Sequence, residues 1–458
     1  MTLTYCPSCL EKQRLIDALK DEIRCLKDQL RYQERTRKEG AFGASTPSSK
    51  VPIKPNSLTE RQARRGGGRP GHVGHGRRSV KAADADRVER VTTPEGCPDC
   101  GGPLDLCGLK PRTVVDCVPV RVERVVYRLE QRQCAHCGRR VSARAPGVLP
   151  KALYSNRLLA HVALEHYVSG LTLGYLERQT GVGDSSLVAA MHLLARRLES
   201  VPQRLVEAYR QAPVKHADET GWRTDGRNGY AWLFATTTES LYRFRRSRSA
   251  AVAQDVLGTE PLPGVLVVDR YGGYNKAPCA INYCYAHLLR DLQDLEKDFP
   301  NEQEVRRFVA ALAPLLAQAM QTRNLDLSDQ TFLAEAANIK QAIIEIIQHP
   351  ARHPAIQTYQ DLFRQKADRL YHWADDRRVP ADNNFAEREL RSLVGARKVS
   401  YGSQSEAGDH TREILMTVLH TLKKRTPNPA DALRNALDQL ALDHTRNPYD
   451  LLFPPDTS

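Results

Sequence analysis

Apolar and polar positions change period several times along this 458-residue chain. Over 10–38, Ile16, Leu19, Ile23, Leu26 and Leu30 recur at alternating three- and four-residue steps, as heptad a and d positions do. Glu22 then falls at g and Lys27 at the following e′, which suits a parallel dimer. The same stripe also serves an amphipathic helix packed on its own domain. Over 40–82 periodicity vanishes into Gly, Pro, Ser and basic residues, the composition of a flexible linker. Over 90–150, Val alternates with charged residues from 113 to 128, as strands do. Over 155–210 the period is helical, and Thr180-Gly181-Val182-Gly183 separates two segments, with Asp184 as the expected N-cap of the second. That is the outline of a helix-turn-helix, which generic αα-hairpins share.

Strand character follows over 211–298. Short apolar runs are expected as strands at 214–218, 230–237, 241–245, 264–268 and 281–285. The second and third form a hairpin around Thr238-Glu239-Ser240, and helices cover 250–257 and the segment after Ala286. This order predicts an α/β unit with a mixed sheet. Residues 299–378 are helical, with helices at 305–319, 332–348 and 356–373, and read as an insertion. Residues 379–424 resume with a helix capped by Asp382 or Asn383, and 425–458 close the chain as a helical tail.

Charge adds a partner. The chain holds 67 Lys and Arg against 54 Asp and Glu, a net charge of +13, which favours a polyanion, most simply DNA. Arg64, Arg65, Arg69, Arg77 and Arg78 cluster around Gly66-Gly67-Gly68-Arg69-Pro70-Gly71, an arm similar to an AT-hook or else a solvated linker. On the second helix of the hairpin, Ser185, Ser186, Arg196 and Arg197 are the candidate DNA contacts. No apolar run approaches the ~18–20 residues of a membrane span, and the first residues lack a signal pattern. A cytoplasmic, nucleoid-associated location is expected, where paired cysteines serve metals rather than disulfides.

Cys97-Pro98-Asp99-Cys100-Gly101 and Cys134-Ala135-His136-Cys137-Gly138 are two such pairs. Four thiolates on two tight turns predict a closed structural Zn²⁺ site in a zinc ribbon, with Cys97, Cys100, Cys134 and Cys137 as ligands. Cys6 and Cys9 make half a site at best, and Cys107 and Cys117 are ordinary thiols in this scheme.

Three acids stand at the ends of apolar elements: Asp218, Asp269 and Glu387. Each alone could be a cap or a surface ion pair. Converging, they would repel one another and call for cations. Two Mg²⁺ (or Mn²⁺) ions suit hard oxygen ligands and activate an attacking hydroxyl at a phosphodiester. His287 and Arg290 share a helical face and could reach a phosphate or leaving oxygen; a packed helix histidine is the alternative. Trp222 either stacks on a frayed base or fills the core.

Four stretches then carry a resemblance: Asp218-Glu219-Thr220-Gly221-Trp222, Val268-Asp269-Arg270-Tyr271-Gly272-Gly273-Tyr274, Tyr283-Cys284-Tyr285-Ala286-His287-Leu288-Leu289-Arg290, and Asn383-Asn384-Phe385-Ala386-Glu387-Arg388. In this order they resemble the motifs of the insertion-sequence-66 family of bacterial transposases. The resemblance implies a multidomain α/β protein. Its ribonuclease-H-like core carries a helical insertion, follows a zinc ribbon and helix-turn-helix, and stands behind an N-terminal coiled-coil-like helix. It implies Asp218, Asp269 and Glu387 as a DDE triad that cleaves DNA at element ends and transfers the 3′-OH strand to target DNA. Relatives often place Lys or Arg seven residues after the Glu. Here that position is Val394, so Arg388 and Arg391 are the expected donor-phosphate contacts. Implied partners are terminal repeats, target DNA, a homodimer or higher multimer, and small accessory proteins. A metal-dependent nuclease of the same fold, or a DNA-binding regulator, are the competing readings.

Overall fold

The structure is a computed structural model that describes residues 145–150 and 152–454 throughout, the strands at 131–133 and 140–142, and scattered positions before them. Cys97, Cys100, Cys134, Cys137 and the arginines at 64, 65, 69, 77 and 78 lie outside the described residues. The chain divides into two units, 1–51 with 125–458, and 52–124; every element named below belongs to the first. Its described positions between 11 and 30 are helical, and Ile16, Leu19, Ile23, Leu26 and Leu30 are exposed. Strands β1 (Gln131–Gln133) and β2 (Arg140–Ser142) pair antiparallel and bracket the second cysteine knuckle.

Helices α1 (Asn156–Tyr167), α2 (Leu173–Thr180), α3 (Asp184–Arg197) and α4 (Val201–Gln211) follow. Ser155 and Thr172 cap α1 and α2, accepting from Leu158 N–H and Tyr175 N–H. Gly181, at φ 66°, ends α2 in the left-handed region where glycine costs least. The expected cap of α3 is displaced by one residue. Gly183 is the N-cap, and Asp184 is the first helical residue, its carboxylate turned onto Ser185 N–H. The αα-hairpin is therefore present. Leu187, Ala190, Met191, Leu194 and Ala195 bury one face of α3, while Ser185, Ser186 and Arg196 face out and Arg197 is half-buried.

The sheet comprises β3 (Val214–Thr224), β4 (Arg227–Ala235), β5 (Ser240–Arg245), β6 (Val265–Val268) and β7 (Ala280–Tyr283), with α5 (Ala250–Leu257) before β6. Its order is β5-β4-β3-β6-β7. The β3, β4 and β5 strands run antiparallel in turn, while β6 and β7 run parallel to β3. This is the mixed sheet that the alternation predicts. The first strand is longer than expected, because beyond Asp218 it keeps β4 as a partner as far as Thr224. Its pairing with β6 ends at His216, so one side of β3 opens just where Asp218 stands. Gly264 makes the entry to β6 possible: at φ 74° it lies against Pro213, whose carbonyl accepts Val265 N–H, and a Cβ there would strike that carbonyl.

Helices α6 (Tyr285–Asp298), α7 (Gln303–Thr322), α8 (Asp329–Gln348) and α9 (Pro354–Gln365) come next, then the single turn α10 (His372–Asp375). The third expected helix breaks after Gln365, because the chain turns there through a 3₁₀ segment, Ala367–Arg369. The chain ends with α11 (Asn384–Ser400), α12 (Glu406–Arg425), α13 (Pro429–Leu442) and α14 (Pro448–Leu452).

Helix α12 solves the problem of the sheet edge. An edge strand presents unpaired N–H groups that must find acceptors when buried. Phe244, Tyr242 and Ser240 of β5 donate theirs to Glu413 Oε2 (3.1 Å), Thr417 Oγ1 (2.9 Å) and Thr421 Oγ1 (3.0 Å). Four residues of helix advance ~6 Å and two residues of strand ~6.8 Å, so the two spacings match. No helix among the described residues is long and apolar enough to cross a membrane.

Candidate active site

The parallel register builds the site. Val214 pairs with Val265 and His216 with Val267, so two residues further Asp218 comes opposite Asp269, just past the end of β6. The C-terminal edge of a parallel strand pair is where open α/β sheets place ligands. Asp218 is thus a mid-strand residue, and the opening beside it comes from the departure of β6 rather than from the end of its own strand.

Helix α11 supplies the third acid. Glu387 stands in its first turn, where the positive end of the helix dipole favours a carboxylate. Asn383, buried, aims this helix. Its Nδ2 donates to Ala217 O (2.8 Å), its Oδ1 pairs with His216 Nδ1 (2.9 Å), and its N–H meets Cys284 Sγ (3.1 Å). One side chain thereby ties α11 to β3 and to the start of α6. The expected cap is divided between two residues: Asn383 holds the N-cap position, while Asp382 Oδ1 takes Asn384 N–H (3.0 Å).

The electrostatics follow from acid facing acid. Asp218 is pushed well above the usual carboxylate range, first by burial, then by Glu219, Asp269 and Glu387. Glu219 is pushed up to about 7, by burial and then by Asp269, against the opposing pull of Arg248. Arg290 Nη2 lies 3.5 Å from Glu387 Oε1, an oxygen that makes no hydrogen bond. His287 is held down to about 4 by burial and then by Arg290, with Asp269 opposing, and its buried Nδ1 has no hydrogen-bond partner. The structure therefore places Asp218, Asp269, Glu387, His287 and Arg290 within electrostatic reach of their neighbours in this group. Arg270, next to Asp269, is ion-paired with Asp291 of α6.

Glu389, two residues on, points elsewhere. It accepts from Ser240 Oγ (3.0 Å) and pairs with Lys424 Nζ (3.2 Å). Arg388 is turned from the acids too. It lines a neighbouring cavity of about 640 Å³ with His216, Arg323 and Arg378. Arg391 is exposed one helical turn past Glu387. Trp222 is buried core, donating to Asp409 Oδ1 (3.0 Å) and Ser403 Oγ (3.2 Å), so it is not free to stack on a base.

Among the described residues, no three His, Cys, Asp or Glu side chains are grouped closely enough to hold a metal ion. The donor chemistry nevertheless fits a hard dication. Asp218, Asp269 and Glu387 are oxygen ligands whose mutual repulsion a cation would relieve. Sequence reading gave Asn383 only as a helix cap and missed what Glu219 and Arg248 do, because their partners are distant along the chain. The signal that was available is the acidic pair Asp218-Glu219 inside a strand, of which one member must turn to the opposite face.

Residues 151–411 match the family described as "Transposase IS66 family". An uncharacterized protein, y4qI, of Sinorhizobium fredii (strain NBRC 101917 / NGR234) is 27% identical over 419 residues, covering 81% of this chain and 76% of that protein. The matched segment spans the αα-hairpin, the whole mixed sheet, the helices before α11 and the acids gathered between them, and on that extent the chain belongs to the IS66 family of transposases.

Proposed function

We propose that this chain is a DNA transposase that binds the ends of its element, cleaves DNA and transfers the 3′-OH strand to target DNA. Asp218, Asp269 and Glu387 are its DDE triad. One observation carries the reading: Asp218, raised by burial and by its neighbour Glu219, is raised further by Asp269 and Glu387, so that acids from three separate elements meet at the open edge beside β6. Mutual repulsion of this kind has no structural benefit and suits a site that gathers cations. The strand order, with the antiparallel β4 and β5 meander on one side of β3 and two parallel strands on the other, supports a ribonuclease-H-like core with α7–α10 as its insertion.

Two Mg²⁺ or Mn²⁺ ions bound by the triad would polarise the phosphodiester and activate the attacking oxygen. The chain's own residues do the remainder. Arg290 holds Glu387 and offers its remaining N–H groups to a phosphate. His287, neutral at pH 7, presents one N–H and one lone pair beside Asp269. Arg391, exposed one turn past Glu387, is the donor-phosphate contact on α11, and Arg388 offers its charge to the neighbouring cavity instead. The outward face of α3, with Ser185, Ser186, Arg196 and Arg197, and the arginine arm at 64–78 add affinity that falls with salt. Cys97, Cys100, Cys134 and Cys137 hold a structural Zn²⁺. The exposed stripe of the N-terminal helix suits self-association, and small accessory proteins of the same element complete the assembly.

The test is strand transfer on labelled element-end DNA with Mg²⁺ or Mn²⁺, comparing wild type, Glu387→Gln and Glu389→Gln. Joined product from wild type and Glu389→Gln but not from Glu387→Gln is the expected result. Cleavage without joining favours a nuclease of the same fold. Loss in Glu389→Gln with retention in Glu387→Gln overturns the choice of third acid.

A further inference from the structure

Two tyrosines and one buried glutamate of the motif stretches have no part in the reaction as proposed, yet with Arg248 they form a closed network beside Asp269. Glu219 follows Asp218 on an extended strand, so its side chain turns to the other face of β3. It is almost wholly buried there, with a side chain 1% exposed. Oε1 accepts from Arg248 Nε (2.9 Å) and from Arg248 Nη2, and Oε2 accepts from Tyr274 Oη (2.5 Å). Arg248 then reaches the other tyrosine twice. Its guanidinium lies 3.9 Å from the Tyr271 ring centroid, and its carbonyl accepts from Tyr271 Oη. Trp232 of β4 packs against both rings. Gly273 completes the closure, since a Cβ there would collide with the Tyr271 ring.

The consequence falls on Asp269. Its Oδ1 accepts from Tyr271 N–H (2.9 Å), so the direction of the carboxylate depends on where the Tyr271 backbone is held. That backbone is held from Glu219 by two routes, through Arg248 to the Tyr271 ring and through Tyr274 at the far end of the loop. A buried charge that is fully hydrogen-bonded fixes geometry in a way an apolar residue of the same size would not.

We propose that Glu219, through Arg248 and Tyr274, is a positioning residue that sets the Asp269 carboxylate opposite Asp218 for metal binding. This rests on the proposed assignment of Asp269 as a metal ligand. Partners that orient ligands typically account for ~10–100-fold in metal affinity or activity.

The experiment measures Mn²⁺ binding by calorimetry on the full chain, beside a thermal melt and strand transfer at graded Mn²⁺. The proteins are wild type, Tyr274→Phe, Glu219→Gln, Glu219→Ala and Asp269→Asn. Tyr274→Phe removes a single hydroxyl and is the variant best placed to fold normally. The expected result is Mn²⁺ affinity about 10-fold weaker in Tyr274→Phe, with melting and DNA-end binding as in wild type. Glu219→Ala should be weaker still, with Glu219→Gln between them because it keeps an acceptor for Tyr274. Transfer should return toward the wild-type rate at high Mn²⁺ in Tyr274→Phe but not in Asp269→Asn. Wild-type Mn²⁺ affinity in both Tyr274→Phe and Glu219→Gln overturns the inference. So does a loss that tracks the unfolded fraction and does not respond to Mn²⁺, which marks a purely structural network. If Asp269→Asn binds Mn²⁺ and transfers strands like wild type, the assignment of Asp269 fails and the inference falls with it, whatever Tyr274→Phe does.

Discussion

Two buried acidic clusters lie on the same sheet and are built on opposite terms. At the β5 edge every acid meets a cation or a donor. Glu389 has Lys424 and Ser240, Glu239 has Arg425 and the Thr236 and Thr238 hydroxyls, and Glu413 has Arg243, Arg245 and the Phe244 N–H. At the open edge beside β6, Asp218 is raised by burial and then by three other carboxylates. The first cluster satisfies itself and so holds α12 to the sheet. In the second, Asp218 stays raised despite Arg248 on Glu219 and Arg290 on Glu387. Acids crowded beyond what their cationic partners offset, rather than buried charge as such, are what distinguish a candidate site from a structural joint.

The sharpest break of that comparison is functional. Asp269→Asn or Glu387→Gln should lower strand transfer by roughly 10³-fold or more while DNA-end binding is kept, and Glu389→Gln should keep transfer. Gel analysis of joined product checks both halves.

Acid sensitivity comes next. His420 donates to Tyr167 O (3.1 Å) and is held down to about 4 by burial. Its folded pKa lies below its unfolded 6.5, so only the unfolded chain takes up a proton as pH falls from 6.5 toward 4, and stability is lost in that window. The loss for this residue is about 2 kcal/mol between pH 7 and pH 5. Denaturant melts of His420→Asn should show a correspondingly smaller fall over that range. Asp218 and Glu219 act in the opposite sense, since a carboxylate raised in the folded state adds stability as pH falls.

At the satisfied edge, Thr417→Val removes the acceptor for Tyr242 N–H and should cost about 1–2 kcal/mol, read as a shift in denaturation midpoint. The smallest effect has the opposite sign. In chelator, Asp218→Asn should be more stable than wild type by about 1 kcal/mol, because one repelling charge is gone. Added Mg²⁺ should raise the melting temperature of wild type and leave that variant nearly unchanged.

Much of this was legible in the chain. Asp269 follows a run of four apolar residues, the last three buried, and a run that short and apolar, opened by Gly264, had few other structures available. The hairpin at Thr238-Glu239-Ser240 and the helix carrying Glu387 were equally plain. Asp218 was misplaced at a strand end, because sequence shows where a strand is favourable but not where its neighbour leaves it. Glu387 was already the choice in the chain, but how Glu387 and Glu389 part company depends on the direction of α11, which Asn383 sets through contacts 166 and 167 residues away.

The sequence by itself determined the elements, their order, the sign of the chain's charge and the short list of acids, because periodicity and turn chemistry act within a few residues. Tertiary structure alone decided which acids face one another, that Trp222 is core, that Arg388 turns to a neighbouring cavity, and that Glu219 steadies the loop after β6. Those outcomes depend on strand register and helix direction, which are fixed by packing between segments far apart in the chain.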